Sequence, residues 1–245
     1  MVMRLSVSVL LTDDLTGEPV KGSGARVWID GQKPPIKKDD GRNIFVDLPE
    51  GEYVLNAEGG FYAHTEVHCR VSSGKAENIT VRLLPNRLYP VPPDTVRIEG
   101  KAVPDTAVRI YSADRASAYK LLSDVKKESS VIGIYHGDGI NIEGKLLKII
   151  SPAGKGEYIR VLSAENSERS EYLLSDGLKA AYPKIGTVIV PVSECMTDAD
   201  GDFMLLLRNS SGGSEMICEV QNGKKTTVKS IDISGTKYIK ADLMK

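Results

Sequence analysis

Leu5, Val7, Val9 and Leu11 recur at every second position near the start of the chain, the pattern of a strand with one buried face. Short runs of the same kind continue through the first 85 residues. In ARVWIDG, Val27 and Ile29 fall on one side and Trp28 on the other; IFVDL, YVLNAEG, HTEVHCRV and ENITVRLL follow. Polar stretches rich in Gly, Pro and Asp, such as DDLTGEPVKGSG and PPIKKDDGRN, separate them. Turn signals spaced roughly 8–12 residues apart predict an all-β sandwich over residues 1–85.

PNRLYPVPPD interrupts this pattern, with Pro85, Pro90, Pro92 and Pro93 close together. Proline lacks an amide donor and favours extended backbone, so residues 86–94 read as a stiff linker. A second β region then spans 95–245. Within it ADRASAYKLLSDVKK is the one stretch read as helix, from the recurrence of Ala116, Tyr119, Leu122 and Val125. VIGIYHGDGINIEG reads as a hairpin around Gly137-Asp138-Gly139, KLLKIISPAGKGEYIRVLS as another turning at Pro152–Gly156, and Asn222-Gly223 marks a third.

The two regions echo one another. KKDDGRNIFVDLP and MTDADGDFMLLLR each set an acidic turn and a glycine before a Phe and a strand. Strand pairs of similar form, TGEPVKGSGARVWIDG and IEGKAVPDTAVRIYS, precede them. Gly17, Pro19, Val20, Gly22 and Val27, then Asp40, Gly41 and Phe45, then Leu48, Pro49, Gly51, Tyr53 and Leu55 carry a family resemblance. Over residues 3–85 the chain resembles the carboxypeptidase-regulatory-like or transthyretin-like β-sandwich, an immunoglobulin-type fold. Arg42-Asn43-Ile44 adds a residue or two between the Gly and the Phe.

In the second region the match is split by about 80 residues, which implies a second such sandwich carrying an inserted small β-barrel or sheet at about 124–192. The resemblance implies tandem β-sandwiches that serve packing, adhesion or regulation rather than catalysis. In a related branch a lysine on the first strand forms an isopeptide bond; SVSVLLTDD holds none, so no such bond is expected.

Composition narrows the function classes. Charged residues make up 27% and the hydrophobic set 41%, as in an ordinary globular chain. The formal net charge is −1 with no massed basic stretch, which argues against nucleic acid as the partner. No segment reads as a signal peptide or a membrane span, so the expected location is the cytoplasm when synthesised, with later release by a route needing no signal peptide left open. Cys69, Cys195 and Cys218 are odd in number and lack C-x-x-C spacing, which suits free thiols.

The candidate chemistry is sparse. Asp198, Asp200 and Asp202 suggest a calcium loop, but Gly201 stands fourth rather than sixth and Asn209 replaces the closing Glu, so a turn is expected. His64 and His68, followed by Cys69, suggest zinc; on a strand, residues four apart lie about 13 Å apart, too far for one ion. Ser72-x-x-Lys75 and Ser123-x-x-Lys126 match a catalytic motif by letters only, and Gly154-Lys155 lacks P-loop spacing.

Tyr89, Tyr111, Tyr119, Tyr135, Tyr158, Tyr172, Tyr182 and Tyr238 enrich the second half of the chain in residues that serve either binding faces or ordinary strands. No catalytic, cofactor-binding or metal residue is therefore assigned, and no cofactor. The reading is a non-catalytic interaction or scaffold protein, with a protein partner or self-assembly. The alternatives are a structural subunit of a phage-tail-like or surface assembly, and a second region that binds carbohydrate or acts as an enzyme.

Overall fold

The structure is a computed structural model that describes residues 3–72, 74–116, 118–137, 140–166, 168, 170–208, 215–223 and 225–243. It is all-β: the described residues form nineteen strands and no helix, so none is long and apolar enough to cross a membrane.

The first seven strands are β1 (Leu5–Asp13), β2 (Ala25–Trp28), β3 (Ile36–Lys37), β4 (Arg42–Val46), β5 (Gly51–Gly59), β6 (Tyr62–Val71) and β7 (Glu77–Leu83). They make a four-stranded sheet, β3-β4-β1-β7, and a three-stranded sheet, β2-β5-β6. Val7, Val9 and Leu11 of the first sheet share one core with Leu55, Ala57 and Val67 of the second. That burial is what the alternating pattern of β1 is for.

Strands β8 (Thr95–Lys101), β9 (Ala107–Ser112), β16 (Asp202–Arg208), β17 (Glu215–Asn222), β18 (Lys225–Asp232) and β19 (Tyr238–Asp242) repeat this connectivity. β1 pairs antiparallel with β4 and parallel with β7; β8 pairs antiparallel with β16 and parallel with β19. The order β2-β5-β6 recurs as β9-β17-β18. The two acidic turns share one hydrogen-bond pattern. Lys38 N–H donates to Arg42 O (2.8 Å) and Gly41 N–H to Lys38 O (3.0 Å); Asp198 N–H donates to Asp202 O (2.9 Å) and Gly201 N–H to Asp198 O (2.9 Å). Gly41 (φ +90°) and Gly201 (φ +78°) take the left-handed backbone this turn needs.

Between β9 and β16 run β10 (Tyr119–Leu121), β11 (Val131–Tyr135), β12 (Leu146–Ile150), β13 (Gly156–Asn166), β14 (Glu171–Leu174) and β15 (Val188–Met196). Their order is β10-β11-β14-β13-β12-β15, and β10 pairs with β15 to close a six-stranded barrel. β15 also pairs with β9, so one strand belongs to the barrel and to the sheet β15-β9-β17-β18.

Two expectations are corrected. ADRASAYKLLSDVKK holds no helix among its described residues, Ser117 lying outside them: Tyr119 and Leu121 point into the barrel core as alternate residues of β10, and Val125 is bridged to Tyr182. Ring closure, which a helix could not provide, overrides the weak three-residue spacing. VIGIYHGDGINIEG is not a hairpin, because β11 pairs with β10 and β14 and the described residues 140–144 hold no strand. Asp138 and Gly139 of that stretch lie outside the described residues. The turns at 151–155 and at Asn222-Gly223 do join hairpins, β12–β13 and β17–β18.

The first unit is fastened to the barrel by Arg82, whose side chain is only 5% exposed. Its Nε donates to Glu143 O (2.8 Å) and its Nη2 to Asn141 O (2.6 Å), while Asp14 stands 3.9 Å from Nη1. Burial pulls the guanidinium pKa down, and Asp14 is the nearest charge opposing that fall. Gly144 passes so close that a Cβ would meet Thr80 O at 2.7 Å, and Leu162 of β13 joins the first unit's core. Arg82→Met removes both bonds and leaves Asp14 without its partner, and should cost about 3 kcal/mol in chemical denaturation. Arg26→Met, at an exposed pair with Glu58, should cost less than about 0.5 kcal/mol.

Candidate functional site

The outward face of the nine-stranded sheet carries the densest group of charged and phenolic side chains among the described residues. Strand alternation builds it. Val108, Ile110, Leu147, Ile149, Ile159, Cys218 and Val220 point into cores, so their neighbours Arg109, Tyr111, Lys148, Tyr158 and Glu219 take the opposite face, where Tyr111 packs with Leu146, Val190 and Val192 and little of the group is exposed. Register sets them side by side: Lys148 is opposite Tyr158, Tyr111 is opposite Val192 and Ile217, and Arg109 is opposite Glu194 and Glu219.

Glu219 is the hub. Lys148 Nζ lies 2.5 Å from its Oε1, Tyr111 donates its hydroxyl to the same oxygen (2.5 Å), and Tyr158 donates to Oε2. Lys148 also donates to the Tyr111 oxygen at 2.9 Å. The Arg109 guanidinium stacks 4.3 Å from the Tyr158 ring centre and pairs with Glu194 (3.4 Å), which Arg160 pairs with in turn. Burial alone would raise the Glu219 pKa; the bonds from Lys148, Tyr111 and Tyr158 outweigh it and hold the carboxyl below its usual range. Burial, then the bond to Glu219, pushes both phenols above their ordinary range. The arrangement therefore keeps a carboxylate charged and two phenols protonated. Glu219 belongs to β17 and its partners Lys148 and Tyr158 to the barrel, so the network joins the barrel to the second unit.

Sequence reasoning noted the tyrosines but missed this network, because its members span more than a hundred residues. The other tyrosines divide. Tyr119, Tyr172 and Tyr182 line the barrel core, while Tyr89 and Tyr62 both donate to Asp13 Oδ2, at 2.6 and 2.8 Å. Tyr135 and Tyr238 are more than half exposed, at 58% and 51%.

The residues singled out for metal do not converge. His64 faces outward between Glu58 (3.8 Å) and Glu66 (3.4 Å), whereas Cys69 is buried in the opposite direction. Asp198 Oδ1 accepts from the amides of Asp200 (3.1 Å) and Asp202 (2.8 Å), and its other oxygen meets Arg87 at 3.2 Å. Asp202 pairs with Lys101 at 3.0 Å. The acidic turn thus has its own cations, one of them from the segment between β7 and β8. No group of three or more metal-binding side chains occurs among the described residues. Ser72 and Lys75 are joined as a backbone bridge. All three cysteines are buried, and burial raises Cys69 to about 11 and Cys218 to about 12.

Neither a family model nor a curated protein sequence matches the chain. Among solved structures, the TIE protein of Bacillus anthracis aligns with 98% of this chain and 51% of its own, at 10% identity and a TM-score of 0.28. This chain spans about half of that protein's length. A cell-adhesion candidate from Bacteroides ovatus aligns with 100% of this chain and 94% of its own, at 9% identity and a TM-score of 0.22. Both scores lie below the level that marks a shared fold.

The Glu219 network makes a pH prediction. Its folded pKa is depressed, so its stabilisation is full above the unfolded value of 4.5 and is lost as pH falls through the lower folded value. Glu219→Gln should cost about 2–3 kcal/mol at neutral pH, and the gap to wild type should close as both are acidified below the carboxylate range. Urea unfolding across a pH series measures that gap.

Proposed function

We propose that the chain is a non-catalytic β-module that binds a protein partner through the outer face of its barrel. The observation that carries this reading is an apolar ridge on β11 and the residue that follows β10. Val131 and Tyr135 point outward at either side of Gly133, and Leu122 lies across that glycine. The three side chains are 39%, 58% and 39% exposed for Val131, Tyr135 and Leu122. Lys120, opposite Tyr135, and Glu171, opposite Gly133, give the ridge a charged rim. Exposed apolar side chains grouped inside a polar rim, with a tyrosine among them, are what recognition surfaces present.

The repeated strand order supports a finer reading of the scaffold: two transthyretin-like sandwiches, at 1–85 and within 95–245, joined by the linker 86–94. The second would carry the barrel as its insertion. In this reading the barrel is the part elaborated for recognition and the sandwiches hold it. The open edge of β18 favours the alternative of a self-assembling subunit, since Val228 there is 58% exposed. Lys225 and Lys229 on that strand oppose edge-to-edge pairing, which leaves the ridge as the stronger surface.

The test is in-cell cross-linking from the barrel surface, followed by affinity measurement on the protein recovered. Leu122→Glu with Tyr135→Ser should leave folding stability within about 0.5 kcal/mol and weaken that partner at least about tenfold. Unchanged affinity, or no protein cross-linked to the ridge above background, contradicts the proposal.

A further inference from the structure

The chain has one tryptophan, Trp28, and it stands on the outward face of β2 in the first unit. Its ring is held from several sides. The indole N–H donates to Asp30 Oδ1 at 3.0 Å, and the Arg26 guanidinium, itself paired with Glu58, lies 4.9 Å from the ring centre. The His64 ring stands 5.7 Å away at 47°. Trp28 remains half-buried rather than sealed.

Beside it runs a groove of about 380 Å³ lined by Trp28, Pro34, Pro35, Asp30, Gln32 and Lys37 among others. Two consecutive prolines give the groove a stiff wall, since each fixes its own backbone.

We infer that this groove binds a sugar ring, free or at the end of a glycan. The argument is chemical. Arg26 covers one face of the indole, so the pyranose would set its weakly positive C–H face against the other. Around it, Gln32 supplies both a donor and an acceptor, Lys37 a donor, and Asp30 an acceptor in the oxygen that Trp28 does not use. Vicinal hydroxyls both donate and accept, so they match that mixed rim. A wholly apolar ligand would strip water from Asp30 and Lys37 without replacing it. The ring is fixed in advance by Asp30, Arg26 and His64, which lowers the ordering cost of binding. The site lies on a different unit from the barrel ridge, so each stands or falls independently.

The single tryptophan makes the test direct. The full chain is titrated with methyl glycosides of glucose, galactose, mannose, N-acetylglucosamine and glucuronic acid, and applied to an array of oligosaccharides ending in them. At least one sugar should give a saturable change in tryptophan fluorescence, with a Kd of about 0.1–10 mM for the monosaccharide, and should shift the indole N–H signal. Saturation-transfer NMR, which needs no tryptophan, should show at least tenfold weaker binding in Trp28→Ala and about threefold weaker binding in Gln32→Ala. The surface variant Gln32→Ala carries the test if Trp28→Ala does not fold. No saturable response to any glycoside or arrayed glycan overturns the proposal. So does binding that leaves the indole signal unmoved, or response only to proline-rich peptides run beside the sugars.

Discussion

One buried guanidinium decides how the parts of this chain sit together. Arg82 ends inside the contact between the first unit and the barrel, where its donors meet two carbonyls of the segment before β12. The buried cation cannot be kept there without those carbonyls to accept from it. Neighbouring features agree with that demand. Gly144 lets the backbones approach, Glu143 accepts from Ala164 N–H (2.8 Å) to hold the carbonyl-bearing turn, and Leu162 crosses into the first unit's core. Asp14 completes the charge balance, with burial raising its pKa and Arg82 opposing that rise most strongly.

The barrel is tied to the second unit by different means. β15 runs through both, so the barrel cannot turn without bending a strand shared with β9. Glu219 adds side-chain bonds across the same boundary. Arg87, between β7 and β8, pairs with the acidic turn at Asp198 and Asp202. Those aspartates first suggest a metal; in the folded chain their charge faces Arg87 and Lys101.

Local patterns were legible and long-range ones were not. The alternation in β1 and the paired turns at Lys38–Arg42 and Asp198–Asp202 can be read directly from residue types, because turn chemistry and strand period act over a few residues. The repeat of strand order follows from that echo. Tyr119–Leu121 misled because three residues of strand carry too little period to be told from helix. The pairing of β11 with β14 rather than with residues 140–144 depends on barrel closure, which no local signal encodes. Arg82 and Glu219 each look like an ordinary outward charge on a strand; only the docking of distant segments makes them interior. Trp28 was placed on the correct side of β2, but its groove depends on where the loop with Pro34 and Pro35 folds back.

The central claim is that the Arg82 contact, the shared strand and the Glu219 network make one body of three β units. Amide residual dipolar couplings from β1–β7, from β10–β15 and from β16–β19 test it in solution. One alignment tensor should fit all three sets with the geometry described here. Separate tensors of different magnitude for β1–β7 and β10–β15 would show the units moving independently, and would contradict it.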